Sequence, residues 1–383
     1  MAATIGIVAG EASGDLLGAH LIRALRPHLP DVHFSGVGGP RMRAAGMDVL
    51  FPMEKLAVRG YVEVARHYLE IVGIRRRLAA HFLRQPPACF IGIDAPDFNL
   101  ELERKLKRAG ICTVQYVSPQ IWAWRSERLH GIGRAVDKML TVFPFEAALY
   151  EAAKIPVAYV GHPLADMLGD FPGRQSAREQ LRIPHAARVI ALLPGSRITE
   201  VEHTAELFVA TAMEIAKAEP EAMFLAPLVS METRARFESA LYRAGAPQLN
   251  LTLLIGHAHD AMAASDVVLV CSGTATLEAA LLRKPMVITY RMPRLSWWMM
   301  KRRFHERYVG LPNILSREFV VPELLQDDAT PENLAQALLN LLSDATVRSR
   351  IDLRFSRLLA ELRQDTGRRI VDALLPMLDG RPA

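Results

Sequence analysis

Short apolar runs alternate with amphipathic segments along the whole chain. Thr4–Ala9, Ala88–Ile93, Thr113–Val117, Lys138–Phe143 and Val157–Val160 predict strands in the first half. Val189–Leu193, Met223–Pro227, Leu251–Ile255, Val267–Val270 and Pro285–Tyr290 predict strands in the second. Between them Asp15–Arg26, Glu101–Arg108, Ala205–Ala218 and Ala275–Leu282 carry helical periodicity. Strands apolar on both faces and separated by helices indicate parallel sheets covered on each side. The layout occurs twice, so the expected fold is α/β, with two facing doubly wound, Rossmann-like lobes.

The predicted first lobe is residues 1–165 and the second 186–345. Gly161–Ala187, rich in Gly, Pro and Asp and with only one short helical pattern around Gln175–Leu181, is the expected linker. From Pro331 the pattern is purely helical, and the C-terminal helices at 346–383 are expected to close the second lobe or pack back on the first. In doubly wound sheets ligands bind outside the carboxyl ends of the strands. The strand-to-helix turns are therefore where chemistry is to be sought.

Composition narrows the picture only modestly. The 383 residues exceed one ordinary core and suit two. Half are hydrophobic and 23% charged, which excludes a disordered or fibrous chain. Lys and Arg number 46 against 41 Asp and Glu, a net charge of +5. That excess suits anionic substrates or a membrane surface and is too small to argue for nucleic acid. Cys89, Cys112 and Cys271 form no C-x-x-C pair and read as small buried hydrophobes in a reducing compartment. The N-terminus reads as a first strand, not a signal peptide, and no run reaches the ~20 apolar residues of a bilayer span.

Four turns carry candidate chemistry. After the first strand comes Gly10-Glu11-Ala12-Ser13-Gly14-Asp15, where Ser13 or Asp15 is a candidate cap and the Glu11 carboxylate points toward the crevice. Neither this turn nor Gly36–Arg41 fits a dinucleotide or P-loop fingerprint. Asp94 ends a buried strand ahead of Ala95-Pro96-Asp97-Phe98-Asn99. Partial desolvation there raises a carboxyl pKa and suits a general base, while Asp97 reads as either a cap or a functional group. Leu193-Pro194-Gly195-Ser196-Arg197 exposes backbone N–H groups and offers a guanidinium fork for phosphate oxygens. Thr199-x-x-Glu202 behind it fits a capping box. Ser272-Gly273-Thr274 opens a helix as an anion cradle, with Glu278 one turn on as a candidate ribose acceptor.

His257-Ala-His259-Asp260 reads as a lead into a helix and not as a metal site, and no Asp-x-Asp is present. Trp122 and Trp124 lie in a segment that packs under a loop or lines an acceptor pocket. Trp297, Trp298, Met299 and Met300 stand beside Lys301, Arg302 and Arg303, which suits an element pressed on anionic lipid.

Taken together, Val8–Asp15, Gly36–Met42, Gly92–Asn99, Tyr116–Arg125, Leu193–Arg197, Ser272–Glu278 and Leu311–Leu315 resemble the lipid-A-disaccharide synthase family over essentially the whole chain. The resemblance implies an inverting, metal-independent glycosyltransferase of the two-lobed GT-B type that needs no cofactor. It would join UDP-2,3-diacylglucosamine to 2,3-diacylglucosamine 1-phosphate (lipid X), giving a β(1→6) disaccharide and UDP. By resemblance, Asp94 matches the position of the catalytic base and Glu11 lies in an essential turn; which of Glu11, Asp94 and Asp97 is the base stays open. Arg197 and Asn313 match positions that handle the nucleotide or diphosphate. Ser13, Gly14, Asp97, Ser196, Glu200, Ser272, Gly273, Thr274 and Glu278 complete the expected substrate contacts. The implied partners are the two lipid substrates and the cytoplasmic face of the inner membrane, reached by a cytoplasmic, peripherally bound protein. No nucleic acid is implied, and a homodimer is left open. The nearest rivals are another UDP-sugar enzyme of the same form, such as an N-acetylglucosaminyltransferase or a UDP-sugar 2-epimerase, and a non-catalytic nucleotide- or membrane-binding protein.

Overall fold

The computed structural model describes residues 3–56, 61–119, 121, 129–246, 248–292, 297 and 307–379. The chain divides into two compact units, Met1–Asp166 with Glu361–Ala383, and Met167–Ala360.

The first unit contains β1 (Thr4–Ala9), β2 (His33–Gly38), β3 (Met47–Pro52), β4 (Cys89–Ile93), β5 (Cys112–Tyr116), β6 (Lys138–Thr141) and β7 (Val157–Tyr159). They form one sheet in the order β3-β2-β1-β4-β5-β6-β7, and every pairing is parallel. β4 and β5 are buried at every position, as a strand covered by helices on both faces must be. Phe82 and Phe90 meet edge to face at 5.6 Å in a core shared with Val8, Phe98, Leu102 and Leu106. Each such buried side chain contributes ~1.5–3 kcal/mol.

The second unit contains β8 (Val189–Leu193), β9 (Met223–Leu228), β10 (Leu251–Ile255), β11 (Val267–Cys271), β12 (Met286–Tyr290) and β13 (Glu323–Leu325). Their order is β10-β9-β8-β11-β12-β13, again all parallel. The ten expected strands are all present. β2, β3 and β13 were not expected, for a local reason. β2 carries two glycines and a serine, β3 begins Met-Asp and ends in Pro, and β13 is a three-residue edge. Gly36 in β2 has φ +146°, and a methyl group there would fall 2.0 Å from the Ile7 carbonyl oxygen. The sheet needs the glycine that weakens the strand signal.

The expected linker is partly structured. Arg174–Gln180 is a helix, and Arg178 on it is 1% exposed. Its guanidinium donates to the carbonyls of Ala264 (2.9 Å), His185 (2.6 Å) and Ala187 (2.9 Å) and pairs with Asp266 at 3.0 Å. Residues from Met167 onward, up to Ala360, belong to the second unit. At the other end the division falls after Ala360 and not at 346. The final helix, Thr366–Asp379, packs on Ala12–Leu25, and its Thr366 amide donates to Asp166 at 2.7 Å. No helix among the described residues is long and apolar enough to cross a membrane.

Candidate active site

Each sheet has one place where the strand order reverses, between β1 and β4 in the first unit and between β8 and β11 in the second. Crevices open outside the carboxyl ends at such switch points. All four candidate turns follow these strands.

In the first unit Ala9 pairs with Ile93, which brings the turns after β1 and β4 side by side. A methyl group on Gly10 would lie 3.0 Å from the Ala95 side chain. The helix after β1 begins at Ala12, so Glu11 is the flanking residue, with φ −145°. Neither Ser13 nor Asp15 caps this helix. Asp15 is 2% exposed and caps a different one, the helix Pro40–Ala44 after β2. Its carboxylate accepts from the amides of Gly39 (2.9 Å), Arg41 (3.0 Å) and Met42 (3.0 Å). Glu11 and Ser13 are half-buried at the turn. Gly14, expected to touch substrate, is buried instead, with room for a methyl only 3.2 Å from Ala9 Cβ.

Asp94 and Ala95 are both left-handed, at φ +52° and +42°. Non-glycine residues in that region cost ~1–3 kcal/mol each and persist only where the surroundings enforce them. Here the Asp94 amide continues the ladder to Tyr116 O at 3.0 Å. Its carbonyl oxygen accepts from Asn99 Nδ2 at 2.9 Å and Gln115 Nε2 at 3.0 Å. The clamp leaves the Asp94 residue half-buried at the strand end, while Asp97 is exposed in the first turn of the helix Pro96–Arg108. Asn99 and Gln115 are both wholly buried, and neither carries a catalytic signature in the sequence.

In the second unit the helix Ile198–Ala218 begins two residues earlier than a Thr199–Glu202 box requires. The capping carboxylate is Glu200, which accepts from the amides of Ser196 (3.0 Å) and Arg197 (3.2 Å) and pairs with the Arg197 guanidinium. Glu200, expected to bind substrate, is thus part of the turn's own frame, and the two amides expected to be open are occupied. Glu202 pairs with Arg236 at 3.1 Å. Gly195 has φ +132°, and a methyl there would meet Glu200 Cβ at 2.7 Å.

The Ser272 amide donates to Thr289 O at 2.9 Å as part of the sheet. The cradle therefore narrows to Gly273 and Thr274, both exposed at the start of the helix Thr274–Leu281, with open space above Gly273. Burial pushes the Cys271 thiol beneath them up to about 12, so it stays protonated. Glu278 on that helix pairs with His259 at 3.3 Å, and His257 pairs with Asp260 at 2.8 Å. The two histidines face different partners. Asn313 is 0% exposed and fully engaged. It donates to Val321 O (2.9 Å) and Glu323 (2.8 Å) and accepts from the Val320 (2.8 Å) and Val321 (3.0 Å) amides. It braces the loop before β13 and has no atom left for a ligand in this structure, contrary to its expected direct role.

Of the aromatic and basic segments, Trp122, Trp124, Trp298, Met299, Met300, Lys301, Arg302 and Arg303 lie outside the described residues. Trp297 is half-buried.

Two doubly wound lobes, each with turns at its switch point, define the two-lobed GT-B type of fold, and solved structures share it. A UDP-GlcNAc 2-epimerase from Neisseria meningitidis superposes with a TM-score of 0.67 at 12% identity, covering 97% of this chain and 99% of that one. MurG of Acinetobacter baumannii gives 0.56 at 13%, covering 97% and 98%. At the level of sequence, the family model for lipid-A-disaccharide synthetase matches residues 5–370. The lipid-A-disaccharide synthase of Methylobacillus flagellatus is 54% identical over 375 residues, 98% of this chain and 99% of that protein. That of Aromatoleum aromaticum is 53% identical over 382 residues, 100% and 98%. The chain belongs to the lipid-A-disaccharide synthase family.

Proposed function

We propose that this chain joins UDP-2,3-diacylglucosamine to lipid X with inversion at the anomeric carbon, releasing UDP and the β(1→6) lipid A disaccharide 1-phosphate. Family membership makes it a disaccharide-forming glycosyltransferase. The observation that carries the mechanistic reading is the clamped Asp94 turn at the first unit's switch point. Asp94 accepts the proton of the 6-hydroxyl of lipid X as that oxygen attacks the anomeric carbon; Glu11 borders the same crevice. Gly273 and Thr274 amides and the Ser272 and Thr274 hydroxyls hold the diphosphate, Arg197 stabilises its departing charge, and Glu278 accepts from the ribose. Arg197 must exchange its Glu200 partner for phosphate oxygens to do so, a swap between two anions on one guanidinium.

The protein works at the cytoplasmic face of the inner membrane, held there by the segment Trp297–Arg303. Support for this is the pairing of indoles with cations in the sequence and the acyl chains of both substrates. The decisive assay mixes purified protein with lipid X and either UDP-2,3-diacylglucosamine or UDP-N-acetylglucosamine. Disaccharide and UDP should form with the diacylated donor. Turnover or epimerisation of the N-acetyl donor alone would reject the reading. Flotation with anionic liposomes tests the membrane element: replacing Lys301, Arg302 and Arg303 by Ser should weaken it, and unchanged flotation would remove that part.

A further inference from the structure

Beneath Asp94 lies a group of side chains that the reaction itself does not use. Glu103, on the helix Pro96–Arg108, is 0% exposed, as are Asn99 and Gln115. It shares the inward face of that helix with Phe98, Leu102 and Leu106, an apolar stripe in which a carboxylate is out of place. The amide nitrogens of Asn99 and Gln115 are spent on the Asp94 carbonyl. Their oxygens, Asn99 Oδ1 and Gln115 Oε1, are buried with no hydrogen-bond partner, and so are both carboxyl oxygens of Glu103.

These groups converge on Gly92 of β4. A methyl group on Gly92 would fall 2.2 Å from Glu103 Oε1, 2.7 Å from Gln115 Oε1 and 2.9 Å from Asn99 Cβ. The site thus gathers acceptor oxygens, and a buried acceptor without a donor costs ~1–3 kcal/mol. A carboxylic acid is the one group present that can change from acceptor to donor, by keeping its proton. Burial pushes the Glu103 carboxyl well above the ordinary carboxylate range, and the nearby Gly92 amide opposes that rise without cancelling it.

We propose that Glu103 is a positioning residue, a neutral carboxylic acid whose O–H donates to the amide oxygen of Gln115 or Asn99 and so aims that amide at the Asp94 carbonyl. Gly92 is the position in β4 that leaves room for it. A charged carboxylate at this place would face two carbonyl oxygens without a cation. The neutral acid locks the orientation of that amide, and through it the left-handed turn that presents Asp94. The inference rests on the reading of Asp94 as the base, and its test separates the two.

Three variants and one spectrum decide it. Infrared spectra at about pH 8, where exposed carboxyls are ionised, should show a protonated-acid carbonyl band that Glu103→Gln removes. Glu103→Gln keeps a donor of the same shape and should retain turnover within about twofold. Glu103→Leu should fold yet lower kcat by about 10- to 100-fold, the scale of a small misplacement of a catalytic group, with the KM for the UDP-sugar unchanged. A purely structural Glu103 would instead lower the yield of folded protein while leaving kcat per folded enzyme intact, which would overturn the proposal. Absence of the acid band, or loss of turnover in Glu103→Gln matching that of Glu103→Leu, would overturn it as well. In the latter case wild-type turnover that depends on added Na⁺ or K⁺ would assign the oxygens to a cation. If Glu103→Leu fails to fold, the band and the Gln variant still decide. Asp94→Asn alongside keeps the readings apart. Normal turnover in that variant would remove the base assignment, while the acid band would still report on Glu103.

Discussion

At the end of β4 the backbone passes through two left-handed residues, Asp94 and Ala95, held from below by the buried Asn99 and Gln115 side chains. At the end of β11 the chain leaves the sheet through Ser272, Gly273 and Thr274, with exposed backbone and nothing above the glycine. Both turns lie at a switch point of the same kind of sheet, yet one is built inward and the other left open. The difference fits the proposed role of each turn. A proton acceptor must be aimed to within a fraction of an ångström, which requires a rigid frame beneath it. A diphosphate brings its own charge and many oxygens, so a helix start with available N–H groups and a nearby guanidinium suffices. The turn after β8 lies between these cases: Glu200 caps its amides and pairs with Arg197.

The contrast can be broken at its strongest point first. Asp94→Asn should reduce turnover by roughly 10²–10⁴, the usual contribution of a general base, with UDP affinity unchanged; turnover close to wild type would move the base to Glu11 or Asp97. Arg197→Ala is expected to lower kcat/KM about 10- to 100-fold, equivalent to the ~1.5–3 kcal/mol of a charged hydrogen bond. Calorimetry with UDP should show weaker binding in that variant, and equal affinity would take Arg197 out of diphosphate recognition.

Acid should find the first unit through His162, which is buried after β7, where its Nδ1 accepts from the Leu164 amide at 3.2 Å. Burial lowers its pKa from 6.5 to about 4. Between those values the unfolded chain binds the proton and the folded one does not, so stability is full above about pH 6.5 and falls as pH drops toward 4. At ~1.4 kcal/mol per pH unit the loss is on the order of 3 kcal/mol. Thermal unfolding followed from pH 7 to 4 should show this slope, and His162→Asn, which retains an acceptor for the Leu164 amide, should flatten it. An identical slope in the variant would assign the acid sensitivity elsewhere.

The smallest effects come from glycines. Gly92→Ala presses a methyl into the Glu103 carboxyl and should cost ~1–3 kcal/mol by overpacking, with turnover falling as well because the frame of Asp94 shifts. Gly195→Ala forces φ +132° on a residue with a side chain and crowds Glu200. It should cost ~1–3 kcal/mol of strain and weaken UDP binding in preference to the chemical step. If both variants lost kcat alone, the division of labour between the turns would be wrong.

Much of this was legible in the chain. The buried strands of a parallel sheet are continuous apolar runs, so β1 and β8 could be bounded to the residue, and the turns after them stood out as polar interruptions. β2 was hidden because the sheet demands a glycine at Gly36, where the Ile7 carbonyl leaves no space, and glycine reads as a turn. Glu103 left a faint mark, a carboxylate beside Leu102 on an apolar helix face, but its meaning depends on Gln115 and Gly92 from two separate strands. Asp15 looked like a cap for the helix that contains it, and only the neighbouring β2 turn shows which amides it holds.

The sequence by itself determined the two lobes, the candidate strand ends and the family, because each is written in local hydrophobic period and short contiguous motifs. Tertiary structure decided which polar groups are spent and which remain available. Glu200 and Asn313 have the residue types of ligand contacts, yet Glu200 is spent on Ser196 and Arg197 and Asn313 on the strand and loop around Glu323. Hydrogen-bond capacity is finite, and how much of it is left for a substrate depends on neighbours that the chain brings together only by folding.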